Sequence, residues 1–485
     1  MKRRIRIALV LLLSTAASGG AAPALRPLSA ERAAELQQLL SRAIDARLRE
    51  AAYRDVNVGI KILTIDGHHV LYQRDAEVPR IPASAIKVIS SGVILSKFGA
   101  DYRFETPLRT DGELRDGVLA GHLYLVGSGD PSLRLSHLQA AAGEVAAAGI
   151  RRIDGDLVYD LALLDEEKPR YPPNARHLYA PPAALTVNSN WIDLKLEDGP
   201  PPKLTPIPET SYARLDYRIR VSNSENPGKP PMTYREEPWG DHYTIRGTVT
   251  RWDKRYHYLR LCVSRPGLFA ATLLKEALGD SGVELGGKLR PGPVPPGAKT
   301  LLVIRTDPLR DAIRILNQES NNVVAELLNK DLGAYFGSVP GTRAKGLAIL
   351  RQFCREQIGL DAAELTLADA SGLATANRIS PAQFTQALNY FYRQAGMEFV
   401  ETLAPQGHHP HARYPVPPEG MRLFVKSGTL PATGVNSSVG YILLDRTGEV
   451  FSFAVLVNRR HRGPMAYSGT YTNPITASIV RAISP

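Results

Sequence analysis

Between Ala30 and Glu50 the residues Leu36, Leu39, Leu40, Ile44 and Leu48 recur at helical spacing, which predicts one amphipathic helix with an apolar stripe. The period then changes. Val56 to Ile65 and His69 to Tyr72 read as extended segments joined through Asp66-Gly67, the turn chemistry of a tight hairpin. After Pro82, Ser84 to Lys97 reads as a largely apolar helix whose start is set by the proline and the serine. From about Tyr102 to Arg305 the texture is short strands, Gly turns and Pro-rich connections, with helices at Leu138 to Ala148 and Leu268 to Leu278. Gly199 to Pro202 and Asn226 to Pro231 read as surface connections. From Asp307 the chain turns helical, through Leu316, Asn322 to Tyr335, Arg343 to Gln357 and Pro381 to Tyr392. Strands Arg422 to Lys426, Val439 to Leu444 and Val450 to Asn458 follow, then a final helix from about Tyr471.

This order predicts an interrupted domain of the α/β (α+β) class, a sheet covered by helices, built from residues 25–100 and 306–485. Residues 101–190 with 245–305 would form a second, inserted unit, and 191–244 a third nested within it. Residues 1–24 carry Lys2, Arg3, Arg4 and Arg6, an apolar run from Ile7 to Leu13 and small residues through Ala24, which reads as a secretory leader. That run is too short to span a bilayer, so an exported protein without a transmembrane span is expected.

Charge narrows the partners only a little. The formal charge is +11, of which the four leader residues supply +4, leaving +7 on the rest. Lys and Arg are scattered along the chain without an aromatic-interleaved stripe, so nucleic acid is not an expected partner. Cys262 and Cys354 are expected to be separate buried thiols. His408-His409-Pro410-His411 lacks a nearby carboxylate or Cys and reads as a polar loop in preference to a zinc site. Trp191, Trp239 and Trp252 fall in the insertion, as packing residues or sugar-stacking platforms.

Three short patterns carry the chemistry. Ser84 is the only serine with a lysine three residues on, Lys87, and a shared helix face would set the amine beside the hydroxyl. A serine hydroxyl attacks only when a neighbour takes its proton, and a desolvated lysine can do so. Ser320-Asn321-Asn322 lies between two helical stretches, where an extended connection would point Ser320 and Asn322 one way to relay a proton and orient a substrate carbonyl. Ser224-Glu225-Asn226 has the same form but sits in a Pro-Gly stretch and reads as a turn. Lys426-Ser427-Gly428 is the only Lys-(Ser/Thr)-Gly, placed at a strand end, and offers a cation and a hydroxyl to a carboxylate. The next amide, of Thr429, could pair with that of Ser84 as an oxyanion hole.

Ser-x-x-Lys, Ser-x-Asn and Lys-(Ser/Thr)-Gly in this order resembles the signature of serine β-lactamases and penicillin-binding proteins. Gly127-Ser-Gly-Asp-Pro-Ser-Leu133, Gly155-Asp-Leu-Val-Tyr-Asp160, Pro181-Pro-Ala-Ala-Leu-Thr-Val-Asn188 and Asp369-Ala-Ser-Gly-Leu373 look like the class C low-molecular-mass penicillin-binding proteins, from about residue 30 to the end. The 233-position step from Lys87 to Ser320 is similar to that family's two inserted β-rich domains and unlike a compact β-lactamase.

The resemblance implies a five-stranded antiparallel sheet between helical layers and a serine-type D-Ala-D-Ala carboxypeptidase or endopeptidase. Ser84 would be acylated by peptidoglycan peptides and by β-lactam antibiotics, without metal or cofactor. It further implies that Asp160 faces the amino end of a diaminopimelate side chain, where the plain reading is a solvated strand-end carboxylate. Asn321 stands where the family often has Asp, and Ser427 where Thr is frequent. A β-lactamase and an inactive wall-binding or scaffolding homologue are the alternatives. A periplasmic or otherwise exported location follows, soluble or loosely membrane-associated, and the class leaves room for a homodimer.

Overall fold

The computed structural model describes residues 27–166, 180–197, 199, 201–222, 232–250, 258–361, 364–406, 416–461 and 469–484. The leader, Asn226 to Pro231, Trp252 and His408 to His411 lie outside them. Elements of the catalytic unit are numbered in chain order.

Helix α1 (Ala30–Leu48) starts where the Ser29 hydroxyl accepts a hydrogen bond from the Arg32 amide at 3.2 Å, a side-chain N-cap. It buries Ala33, Leu36, Leu40 and Ile44, while Leu39 at the flank of the expected stripe is 39% exposed. Strands β1 (Val56–Thr64) and β2 (Val70–Arg74) form the expected hairpin, turned by Gly67 at φ 84°. They join β3 (Ala404–Pro405), β4 (Met421–Leu430), β5 (Val435–Leu444) and β6 (Val450–Arg459) in one antiparallel sheet of order β3-β4-β5-β6-β1-β2. The five long strands are those the family resemblance implied, and the two-residue β3 extends one edge.

All ten residues of β5 are buried, because both faces of the sheet are covered. On one face α1 packs with the C-terminal helix α7 (Thr472–Ile483) around Ile60, Ile62, Phe451 and Phe453. On the other lie α2 (Lys87–Phe98), α3 (Leu309–Gln318), α4 (Asn322–Tyr335), α5 (Arg343–Phe353) and α6 (Pro381–Ala395), around Val93, Ile313, Leu328, Phe384 and Tyr441. The site residues stand where α2 and α4 meet β4.

The insertion has its own core, in which Leu108, Leu125, Leu157, Phe269 and Leu274 bury a five-stranded sheet beneath the helices Leu135–Ala147 and Pro266–Asp280. Residue 244, the expected limit of the nested unit, falls inside the strand Gly240–Thr250. The strand Tyr258–Cys262 pairs with Trp191–Glu197. Cys262 is half-buried and Cys354 buried, and neither forms a disulfide.

Helix α4 ties the insertion to the catalytic unit. The Tyr335 hydroxyl donates to the Ser128 carbonyl at 2.8 Å, and the Asn321 side-chain amide donates to the Ser189 hydroxyl at 3.0 Å. Between them the Asp331 carboxylate is fully buried against Gly129, and neither of its oxygens has a hydrogen-bond partner among the described residues. Burial, and secondly the neighbouring Asp130, push its pKa well above the carboxylate range, against a smaller opposing pull from Lys330. The folded chain therefore keeps a proton that the unfolded chain releases near about pH 4. Its contribution to stability is present below that pH and is lost as pH rises towards the folded pKa. Asp331→Asn, which cannot ionise, should raise Tm over wild type at neutral pH and lose the advantage near about pH 4. A Tm difference that does not change with pH in thermal unfolding would contradict this assignment.

Candidate functional site

Ser84 does not cap a helix. Residues Ala83–Ile86 form a single 3-10 turn, Ala83 has φ 48°, and α2 begins only at Lys87, so the helix start expected at Ser84 lies three residues later. The cause is compression from two sides. A Cβ at Gly428 of β4 would lie 2.5 Å from the Pro82 carbonyl oxygen and 2.9 Å from the Ser84 amide nitrogen. A Cβ at Gly372, which has φ 87°, would collide with the Ala83 carbonyl. Only glycine lets both backbones come this close, and together they hold the half-buried Ser84 in place.

The Lys87 side chain is completely buried. Its Nζ is 3.1 Å from Ser84 Oγ, 2.7 Å from Asn322 Oδ1 and 2.5 Å from the Ser371 carbonyl oxygen. Burial drives its pKa down to about 7, and Asp369 and Glu326 oppose that shift without cancelling it. Two of the three partners are pure acceptors, so a neutral amine donates to Asn322 and Ser371. Its lone pair is left for the one partner that carries a proton, the Ser84 hydroxyl.

Lys426 occupies the other side. It is 1% exposed and donates to Ser320 Oγ at 3.0 Å and to the Ser427 carbonyl at 2.9 Å. Burial first, and the charge of Lys87 second, hold its pKa well below the usual lysine range. The motif was expected at a strand end, but β4 continues through it, with Lys426 opposite Val439, Ser427 opposite Ser438 and Thr429 opposite Asn436. Strand β3 pairs only with Phe424 and Val425, so beyond them the outer edge of β4 has no strand partner among the described residues. Ser427 and Thr429, both half-buried, sit two apart and share a face.

The Ser320-Asn321-Asn322 connection is not extended as expected. Ser320 takes φ 57°, which bends the link between α3 and α4 sharply enough to aim its hydroxyl at Lys426. Asn321 is the N-cap of α4, its Oδ1 accepting from the Val324 amide at 3.1 Å, and Asn322 opens the helix. The middle position of the motif thus serves the helix and the insertion, and an Asp there could cap equally well.

Sequence reasoning singled out Asp369 to Leu373 only as a family-like segment and missed Glu326, which with it forms a layer behind Lys87. One turn after Asn322 on α4, Glu326 Oε1 accepts from the amides of Ala370 at 3.1 Å and Ser371 at 2.9 Å, and Arg343 Nε lies 3.3 Å from Oε2. Burial and then the charge of Asp369 raise the Glu326 pKa. Asp369 accepts from the amides of Gly372 at 2.8 Å and Ala374 at 2.6 Å and from Asn377 Nδ2 at 2.7 Å. These carboxylates pin the loop that presents the Ser371 carbonyl to Lys87. A lone Glu326 among Val323, Val324, Ala325, Leu327 and Leu328, four residues after Asn322, was the available signal.

Asp160 is not brought to this cluster. Its oxygens accept from the amides of Ala162 at 2.8 Å and Val294 at 2.9 Å, which gives the carboxylate a loop-anchoring part in the insertion.

A family model for D-Ala-D-Ala carboxypeptidase 3 (S13) matches residues 40–469. The chain belongs to the D-Ala-D-Ala carboxypeptidase 3 (S13) family. It is a serine peptidase by that membership. A D-alanyl-D-alanine carboxypeptidase of Actinomadura sp. (strain R39) is 29% identical to it, over 92% of this chain and 85% of the relative. D-alanyl-D-alanine carboxypeptidase DacB of Haemophilus influenzae is 23% identical, over 84% and 87% respectively. The crystal structure of penicillin-binding protein 4 (dacB) from H. influenzae shares the S13 chain's fold with a TM-score of 0.72 at 21% identity, covering 91% of this chain and 97% of that one.

If neutral Lys87 is the base, acylation of Ser84 by a β-lactam should rise about tenfold per pH unit below neutrality and level off above about pH 7. Stopped-flow acylation rates against pH check this, and Lys87→Arg, which keeps the charge but cannot give up its proton, should abolish the reaction. A profile that is flat from about pH 5 to 9 would exclude Lys87 as the base.

Proposed function

We propose that this chain is an exported serine DD-peptidase that removes the terminal D-Ala from peptidoglycan peptides, cleaves their D-Ala cross-links, or does both. The observation that carries the reading is the buried Lys87 amine, which has the Ser84 hydroxyl as its sole proton-bearing partner among the three groups it meets. The Actinomadura and Haemophilus relatives, both named D-alanyl-D-alanine carboxypeptidases, support it.

The substrate peptide lies along the open edge of β4, where backbone groups beyond Val425 are available to an added strand. Its terminal carboxylate meets Lys426 and Ser427, a charge-assisted contact. Lys87 takes the Ser84 proton as Oγ bonds to the carbonyl carbon of the penultimate D-Ala. The amides of Ser84 and Thr429 face the resulting oxyanion. The peptide C–N bond breaks as the leaving amine receives a proton relayed through Ser320 from the Lys87–Lys426 network, which leaves an ester on Ser84. Water then attacks the ester carbon, Lys87 accepts its proton, and Ser84 Oγ leaves with a proton to restore the hydroxyl. Asn322 orients Lys87 and the substrate amide.

The complete network around Ser84 speaks against an inactive scaffolding role. Digestion of purified pentapeptides and cross-linked dimers, analysed by mass spectrometry, should give free D-Ala, uncross-linked monomers, or both with wild type and neither with Ser84→Ala. Inert substrates with folded wild type, or undiminished products with Ser84→Ala, would overturn the reading. Rapid turnover of penicillin with no lasting adduct would favour the β-lactamase alternative.

A further inference from the structure

The strands Ala213–Ser222, Met232–Glu237 and Gly240–Thr250 form a three-stranded sheet on the nested unit, with Gly240–Thr250 in the centre. Burial along the first alternates, with Leu215, Tyr217 and Ile219 turned to the inserted core and Arg214, Asp216, Arg218 and Arg220 exposed. Register brings the other strands into phase. Arg214 pairs with His242, which pairs with Arg235, and Arg218 pairs with Arg246, so five arginines share the outer face.

Against them, among the described residues, stand only two carboxylates on that face. Asp216 is 2.9 Å from His242 Nε2, and Glu237 is 2.6 Å from Arg235 Nε. Arg218, Arg220 and Arg246 have no carboxylate partner among the described residues. Like charges in direct cross-strand register, as in Arg218 and Arg246, destabilise a sheet, and a bound anion between them removes that cost. Neighbouring strands lie about 4.8 Å apart and alternate residues about 7 Å, so the guanidinium groups form a flat array suited to repeated carboxylates.

We propose that this face docks the peptidoglycan polymer itself through the free carboxylates of its peptide stems, holding the wall while a neighbouring stem reaches Ser84. The proposal rests on the DD-peptidase reading for its partner. A bilayer fits less well, because among the described side chains no exposed large hydrophobic one lies on these three strands to insert between lipids. Nucleic acid fits less well too. Among the described residues the aromatic ring at the edge, Trp239, is covered by the Arg214 guanidinium at 4.2 Å, and Tyr217, Tyr234 and Tyr243 pack on the core side.

The test is sedimentation with insoluble peptidoglycan, using Ser84→Ala protein so that the polymer stays intact. Binding should weaken steeply with added salt and vanish when the peptidoglycan carboxylates are chemically amidated. Adding Arg218→Gln, Arg220→Gln and Arg246→Gln together should reduce it by about tenfold or more. In the otherwise wild-type enzyme the same three changes should leave hydrolysis of a small soluble peptide unaltered, which also reports an intact fold. Equal sedimentation of the triple variant, indifference to amidation, or retention on phosphatidylglycerol vesicles in place of peptidoglycan would each overturn the proposal. If wild type hydrolyses no peptide but still sediments in an arginine-dependent way, the docking face stands and the peptidase reading falls.

Discussion

The structure depends on keeping one amine, that of Lys87, out of water and away from any direct carboxylate. Moving an ammonium ion into a protein interior costs several kcal/mol after relaxation, and an adjacent carboxylate would offset that cost by keeping the charge. Here every hydrogen-bond partner of Nζ is a neutral oxygen. The two nearby acids are engaged elsewhere, Glu326 with the amides of Ala370 and Ser371 and Asp369 with those of Gly372 and Ala374. They steady the loop and moderate the shift without ion-pairing to the amine. A second buried lysine, Lys426, is held below the usual lysine range by its own burial first and by the charge of Lys87 second.

Helix α4 is the element through which this constraint reaches the rest of the molecule. Its first turn contacts Lys87 through Asn322 and the insertion through Asn321, its second holds the Ser371 loop through Glu326, and its end meets the insertion at Asp331 and Tyr335. A shift of the insertion along this helix would therefore move two of the three groups around the amine. Two glycines, Gly372 and Gly428, make the opposite wall, where backbone presses on backbone. The insertion thus braces the catalytic unit, and its arginine face points outward from the nested end.

Much of this was legible in residue order. Ser84, Lys87, Ser320, Asn322 and Lys426 converge as their motifs implied, and helices such as Ala30–Leu48 followed from apolar spacing. What escaped were features set by contacts distant in sequence. The turn at Ser84 exists because Gly428 and Gly372 press on it, and Ser320 adopts a left-handed φ because it must face Lys426. The strand Tyr258–Cys262 returns to pair with Trp191–Glu197, a pairing that short local patterns do not reveal. Basic residues that look scattered in sequence gather on one face once Arg218 and Arg246 are placed in register, although the alternation from Arg214 to Val221 was visible beforehand.

Lys87 gives up its proton close to neutral pH, about 7, while it touches Ser84. Lysine labelled at the ε-carbon and ζ-nitrogen can be titrated by NMR in the folded protein, with the Lys87 signal assigned by its loss in Lys87→Met. A midpoint at about 7, well below that of the exposed lysines, is the predicted result. A Lys87 signal that titrates with the exposed lysines near about pH 10.4 would contradict the account.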